Sequence, residues 1–222
     1  MALGLLILGV MAFTLIVSFI TKYEQKGYIN EVRNVAPTSD KVILYLRPFS
    51  LDEDTDDIDR FSLFKLSHWE SDLTHKLVNL GRLITIGKNG EYIPEAGFER
   101  QFFPNDQWQS EVLKLIEDSS LIVLRAGTSE WVLWELGQIL KSNARNKLIL
   151  WINMGYENLG VPRKIRYNVF KKMIKERYDE DLPEYEGLLN FITVDNNNNW
   201  ETSSVITDTH LYHRMLLGYS TK

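Results

Sequence analysis

Five short apolar runs limit what this chain can fold into: Lys41–Pro48, Arg82–Gly87, Ser120–Arg125, Asn146–Asn153 and Leu188–Val194. Each is six to eight residues long and close to continuously apolar at its centre. That pattern fits strands covered on both faces, as in the middle of a parallel sheet. Between the runs lie segments with helical spacing. Leu73, Leu77 and Leu80 recur on one face before Gly81, a natural C-cap; Trp108, Val112, Leu115 and Ile116 mark the buried side of a second segment. Val169, Met173 and Ile174 mark the inner side of a basic amphipathic helix, with Lys171, Lys172, Lys175 and Arg177 outside. Thr207–Tyr219 predicts a terminal helix carrying Leu211, Met215 and Leu216. Strands that alternate with helices predict an α/β fold: a flavodoxin-like, doubly wound parallel sheet of about five strands.

At 222 residues, 44% apolar and 25% charged, the chain suits one globular domain with extras. It has no cysteine, which excludes disulfides, thiolate metal sites and a cysteine nucleophile. A net charge of −5 leaves no large basic footprint, so no nucleic-acid partner is expected. No metal is expected either. Asp52–Asp59 resembles a calcium loop in composition, but an EF-hand counted from Asp52 needs glycine sixth and glutamate twelfth; Asp57 and Leu63 stand there. His210 and His213 lack nearby ligands and read as surface residues. The long loop Lys88–Asn105 holds neither GxGxxG nor GxxxxGK, so it is no standard phosphate cradle. Loops of that length tend to be lids or binding loops.

Ala2–Ile20 is 19 residues without a charge. As a helix it spans about 28 Å, close to the hydrocarbon core of a bilayer. No basic residue precedes it and Val17-Ser-Phe-Ile20 is a poor cleavage site, which argues for an anchor over a signal peptide. Lys22, Lys26 and Arg33 follow directly and predict a cytoplasmic bulk, single-pass in the inner membrane. The expected organisation is a transmembrane helix over 1–21, a juxtamembrane linker over 22–40 and an α/β domain over 41–222. Residues 2–20 would meet membrane lipid. The basic helix face reads first as a solvated surface; on a membrane-attached domain, contact with anionic lipid is the alternative.

Chemistry concentrates at Gly127–Gly137. Gly127 breaks the third strand, and Thr128 and Ser129 are good N-caps, so a helix should begin near Glu130. In open α/β sheets ligands bind beyond the carboxyl ends of strands, where such helices start. Val132, Leu133, Leu136, Ile139 and Leu140 form an apolar stripe; Glu135 stands at its edge, one turn after Trp131. That position predicts a half-shielded carboxylate beside an aromatic ring, facing a cleft. Such a group can orient sugar hydroxyls and stabilise an oxocarbenium-like centre. The plainer alternative is a first-turn glutamate complementing the helix dipole. Trp108 reads as core rather than a ligand stack.

Ser129-Glu-Trp-Val-Leu-Trp-Glu135 resembles the segment of bacterial Toll/interleukin-1 receptor (TIR) domains that carries their glutamate. The resemblance spans about residues 41 to 195 and extends to Leu46–Asp52, which is similar to the opening strand and polar turn of that family. It implies that Glu135 is the catalytic residue of an NAD+ glycohydrolase, with NAD+ as substrate and no cofactor. It further implies that Arg47 holds phosphate, that Asp52 meets a ribose hydroxyl and that Trp131 or Phe49 stacks on a ring; the plainer alternative for Arg47 is an ion pair with the neighbouring acids. Phe98 and Arg100 are candidates by position in the long loop. Such enzymes commonly act when protomers assemble, so self-association is expected. With a membrane anchor, the combination resembles bacterial antiviral effectors that deplete NAD on receiving a signal.

Two other readings stay open. In one, the domain is a TIR-like scaffold or sensor of a small nucleotide signal, with Glu135 purely structural. In the other, a glutamate of related topology transfers a deoxyribosyl group between bases.

Overall fold

The computed structural model describes residues 40–47, 73, 76–86, 99–104, 106–152, 161–187, 189–195, 197–207 and 211. The anchor expected over Ala2–Ile20 and the acidic loop Asp52–Asp59 lie outside them. Among the described residues no helix is long and apolar enough to cross a membrane.

The elements run β1 (Val42–Leu46), β2 (Arg82–Ile86), β3 (Glu99–Gln101), α1 (Trp108–Asp118), β4 (Leu121–Arg125), α2 (Glu130–Lys141), a short 3-10 turn (Arg145–Lys147), β5 (Leu148–Trp151), α3 (Arg163–Tyr178), β6 (Phe191–Val194) and β7 (Trp200–Ser203). The strands form one sheet in the order β3-β2-β1-β4-β5-β6-β7. From β3 to β5 all pairings are parallel; β5–β6 and β6–β7 are antiparallel. The α/β class is as expected, but the sheet is mixed and has seven strands rather than about five parallel ones.

Each departure has a local cause. β4 and β5 are buried at every position, and β1 at all but its first residue. These central strands are the near-continuous apolar runs. β6 instead alternates half-buried and buried, which suits a strand near the sheet margin. A tight loop joins it to β7. There Asp195 Oδ1 accepts from the backbone N–H of Asn197 at 2.8 Å and of Asn199 at 2.7 Å, and Asn198 takes the left-handed conformation at φ 68°. A loop this short joins only antiparallel neighbours. At the opposite margin β3 is Glu-Arg-Gln, and Glu99 pairs with Arg82 of β2 at 2.6 Å. Charged residues on a margin strand discourage further strand pairing.

Both faces are covered. One core joins Leu44, Leu46, Ile122, Leu124, Leu148 and Leu150 to the inner sides of α1, α2 and α3. The other joins Ile43, Tyr45, Val123, Ile149 and Trp151 to Leu73, Leu77 and Val78, of which Leu73 and Leu77 had been read as a helix face, and to Leu211. The side chains part in this way because successive residues of a strand point to opposite faces.

Candidate functional site

The chain leaves β1 towards β2 and β3, then returns to build β4 on the other flank of β1. This reversal makes the carboxyl ends of β1 and β4 a topological switch point, the place where ligands bind in open α/β sheets. Arg47 follows β1 there and is half-buried. Arg125 ends β4 and is only 2% exposed. The two arginines succeed the in-register pair Leu46 and Leu124, so they stand side by side on adjacent strands. The Arg125 guanidinium lies 5.7 Å from the Trp151 ring centre, and Trp151 in turn stacks on Phe191 at 6.4 Å.

Past Arg125 the chain turns through Gly127 into α2. Ser129 is the N-cap, its hydroxyl accepting from the Val132 N–H at 3.5 Å, and the helix begins at Glu130. The first-turn acid is Glu130. Its carboxylate accepts from Arg177 of α3 at 2.8 and 3.0 Å, and this hydrogen bonding holds it below the usual carboxylate range. Glu130 therefore takes the place at the positive end of the helix dipole. Glu135 lies a turn further in, so the first-turn alternative does not describe it.

Glu135 is not half-shielded. It is 1% exposed, on the buried side of α2 with Val132, Leu133, Leu136 and Ile139. Its Oε2 has no hydrogen-bond partner among the described residues. Burial alone pushes its pKa up to about 8, because a charged carboxyl in an apolar setting loses its hydration without compensation. At neutral pH the enclosed group is mainly the uncharged acid. An unpartnered polar atom in a packed core costs stability, and such sites concentrate where function requires them.

Three indoles join α1 to α2. Trp108 meets Trp131 edge-on at 5.0 Å and Trp134 at 5.2 Å. Trp108 and Trp134 pack against the main core, whereas Trp131 is 50% exposed. Trp108 is thus core, as its spacing suggests, and Trp131 still presents half of its surface outward.

The other sequence candidates separate. Phe49, Asp52 and Phe98 lie outside the described residues. Arg100 falls in β3, opposite Thr85, at the margin of the sheet and three strands from β4, which leads into α2. Arg125 was passed over in the sequence, although an arginine closing a wholly apolar run is a visible signal. Among the described residues no group of three or more His, Asp or Glu could hold a metal ion.

The fold is that of an α/β protein with a mixed sheet and an enclosed acid on the helix that follows β4. No protein-family model matches the chain, and no curated protein or solved structure matches it.

Proposed function

We propose that the chain is a membrane-anchored TIR-type NAD+ glycohydrolase in which Glu135 is the catalytic residue. One observation carries the reading: an enclosed carboxyl with an unpartnered oxygen on the helix that follows the central strand β4. Cleavage of the nicotinamide bond builds positive charge on the ribose, and a carboxylate can stabilise it. Trp131 offers a stacking surface, and Arg47 at the end of β1 is the candidate to hold phosphate; Arg125 lies against Trp151 on the sheet face opposite α2 and is not part of this site. As enclosed, Glu135 is neutral and cannot supply that negative charge. Activity then requires an opening that hydrates the carboxyl or gives it a ribose hydroxyl, which fits activation by assembly on a membrane.

The test is nicotinamide release from NAD+ by the full chain reconstituted at high density in liposomes, beside a Glu135→Gln variant. Release that disappears in the variant supports the assignment. Release that survives the substitution removes Glu135 from the role.

The burial of Glu135 favours a second reading, a non-catalytic scaffold or nucleotide-signal sensor. Absence of release from both proteins at every surface density would favour it.

A further inference from the structure

α3 carries an outward face that the domain does not use. Val161, just before the helix, is 42% exposed, Ile165 52% and Val169 50%. They are spaced four apart and so line one side, opposite the buried Tyr167, Phe170 and Ile174. Exposed Lys164 flanks this row, and exposed Lys172 lies within it. Among its 16 residues α3 has Arg163, Lys164, Arg166, Lys171, Lys172, Lys175 and Arg177 against a single acid, Glu176, in a chain whose net charge is −5. Its C-terminal half is largely answered within the domain: Lys171 meets Glu184, Lys175 meets Asp179 and Arg177 meets Glu130, while Lys172 reaches Glu176 on its own row only at 3.7 Å, with both side chains mostly exposed. The N-terminal half, where Ile165 and Lys164 stand, projects both greasy and positive groups. Aliphatic side chains flanked by lysines are the chemistry of a helix lying on an anionic bilayer surface.

We infer that the Val161–Ile165–Val169 face of α3, with Lys164 and Lys172, docks the domain onto the anionic lipid surface of its own membrane. The occupant follows from the rest of the chain, and the inference rests on the anchor reading of Ala2–Ile20. About twenty residues separate that segment from β1, enough to reach roughly 65 Å when extended. A domain of this size is about 40 Å across, so any of its faces can come to the bilayer. Tethering also raises the local concentration of lipid to the millimolar range, where a shallow face with few lysines suffices. Docking would orient the domain and hold neighbouring copies in one plane.

The chain has no cysteine, so a thiol introduced by Val169→Cys is unique and can carry a polarity-sensitive fluorophore. The labelled full chain is placed in nanodiscs of phosphatidylcholine alone and of phosphatidylcholine with one quarter phosphatidylglycerol. A blue shift confined to the anionic discs is expected. Lys164→Glu together with Lys172→Glu should abolish it, and each lysine alone should weaken binding about fivefold. An unshifted probe in both discs overturns the inference, as does an equal shift in both that ignores charge reversal. A shift produced by an added acidic protein but not by discs also overturns it, in favour of a protein partner. Co-elution with the discs reports separately on the anchor. If the chain does not insert, sedimentation with vesicles of the same two compositions still reads the α3 face, so the two failures are distinct.

Discussion

Tyr178 at the end of α3 lies against the bare Cα of Gly137 in α2. A Cβ at Gly137 would fall 2.3 Å from the tyrosine ring, and the Tyr178 hydroxyl donates to the Leu133 carbonyl at 2.6 Å. Glycine in mid-helix ordinarily costs about 1 kcal/mol relative to alanine. Here it permits the close approach of two helices. Gly137→Ala should therefore destabilise by about 2 kcal/mol despite its better helix propensity. In a Tyr178→Leu background the same change should be neutral or stabilising. Urea denaturation of the four proteins in the cycle checks this.

Glu135 ties stability to pH. Its carboxyl titrates at about 8 when folded and near 4.5 when unfolded. Between those values the unfolded chain releases a proton that the folded one keeps, so the contribution of Glu135 to stability is fully present below pH 4.5 and is lost as pH rises towards 8. The full effect is on the order of 4–5 kcal/mol. Glu135→Gln should remove this share of the pH slope and leave the variant more stable than the parent at pH 8. Denaturation midpoints from pH 5 to pH 9 read it directly; equal slopes in the two proteins would contradict the enclosure of this group.

Arg163 fastens three elements. Its guanidinium donates to the Ile152 carbonyl at 3.0 and 2.8 Å, to the Leu189 carbonyl at 2.8 Å and to Asn190 Oδ1 at 2.8 Å. It thus joins the start of α3 to the end of β5 and the approach to β6. Arg163→Ala should cost about 2–4 kcal/mol, because several partly buried acceptors lose a charged donor. Arg163→Lys should recover little, since one ammonium cannot reproduce the planar fork. Amide exchange should rise first in β6.

Trp108 is the hub of the indole cluster. Trp108→Ala should cost about 3 kcal/mol, whereas Trp131→Ala, removing a half-exposed ring, should cost roughly 1 kcal/mol. Near-ultraviolet circular dichroism should lose its indole signal more in the first variant. If the cluster helps to keep water from Glu135, the pH slope described above should also flatten in Trp108→Ala.

Much of the scaffold was legible in the sequence. The apolar runs at 41–48, 82–87, 120–125 and 146–153 contain β1, β2, β4 and β5, because strands covered on both faces leave little choice of residue. Thr128 and Ser129 together marked the start of α2, and Ser129 is its N-cap. The margins were not legible. β7 is Trp-Glu-Thr-Ser and β3 is Glu-Arg-Gln; neither has an apolar rhythm, since each is held by backbone pairing to one neighbour. The direction of β6 was equally hidden, because alternation reports burial and not polarity of the chain. The depth of Glu135 was misjudged for a different reason. A helical wheel placed it at the edge of the stripe, but a wheel describes one helix and cannot show the neighbours that pack over it.

The placement of β1 inside the sheet, between β2 and β4, has a consequence for how the protein is made. Ile43 pairs with Leu121, so one flank of β1 waits for a partner encoded far downstream. β6 and β7, by contrast, meet across a tight loop and can zip together as soon as both exist. Closure of so distant a contact carries a large chain-entropy cost and sets a slow step. During synthesis the unpaired backbone edge of β1, on a strand whose side chains are almost wholly apolar, stays open to any chaperone or neighbouring nascent chain until β4 has left the ribosome.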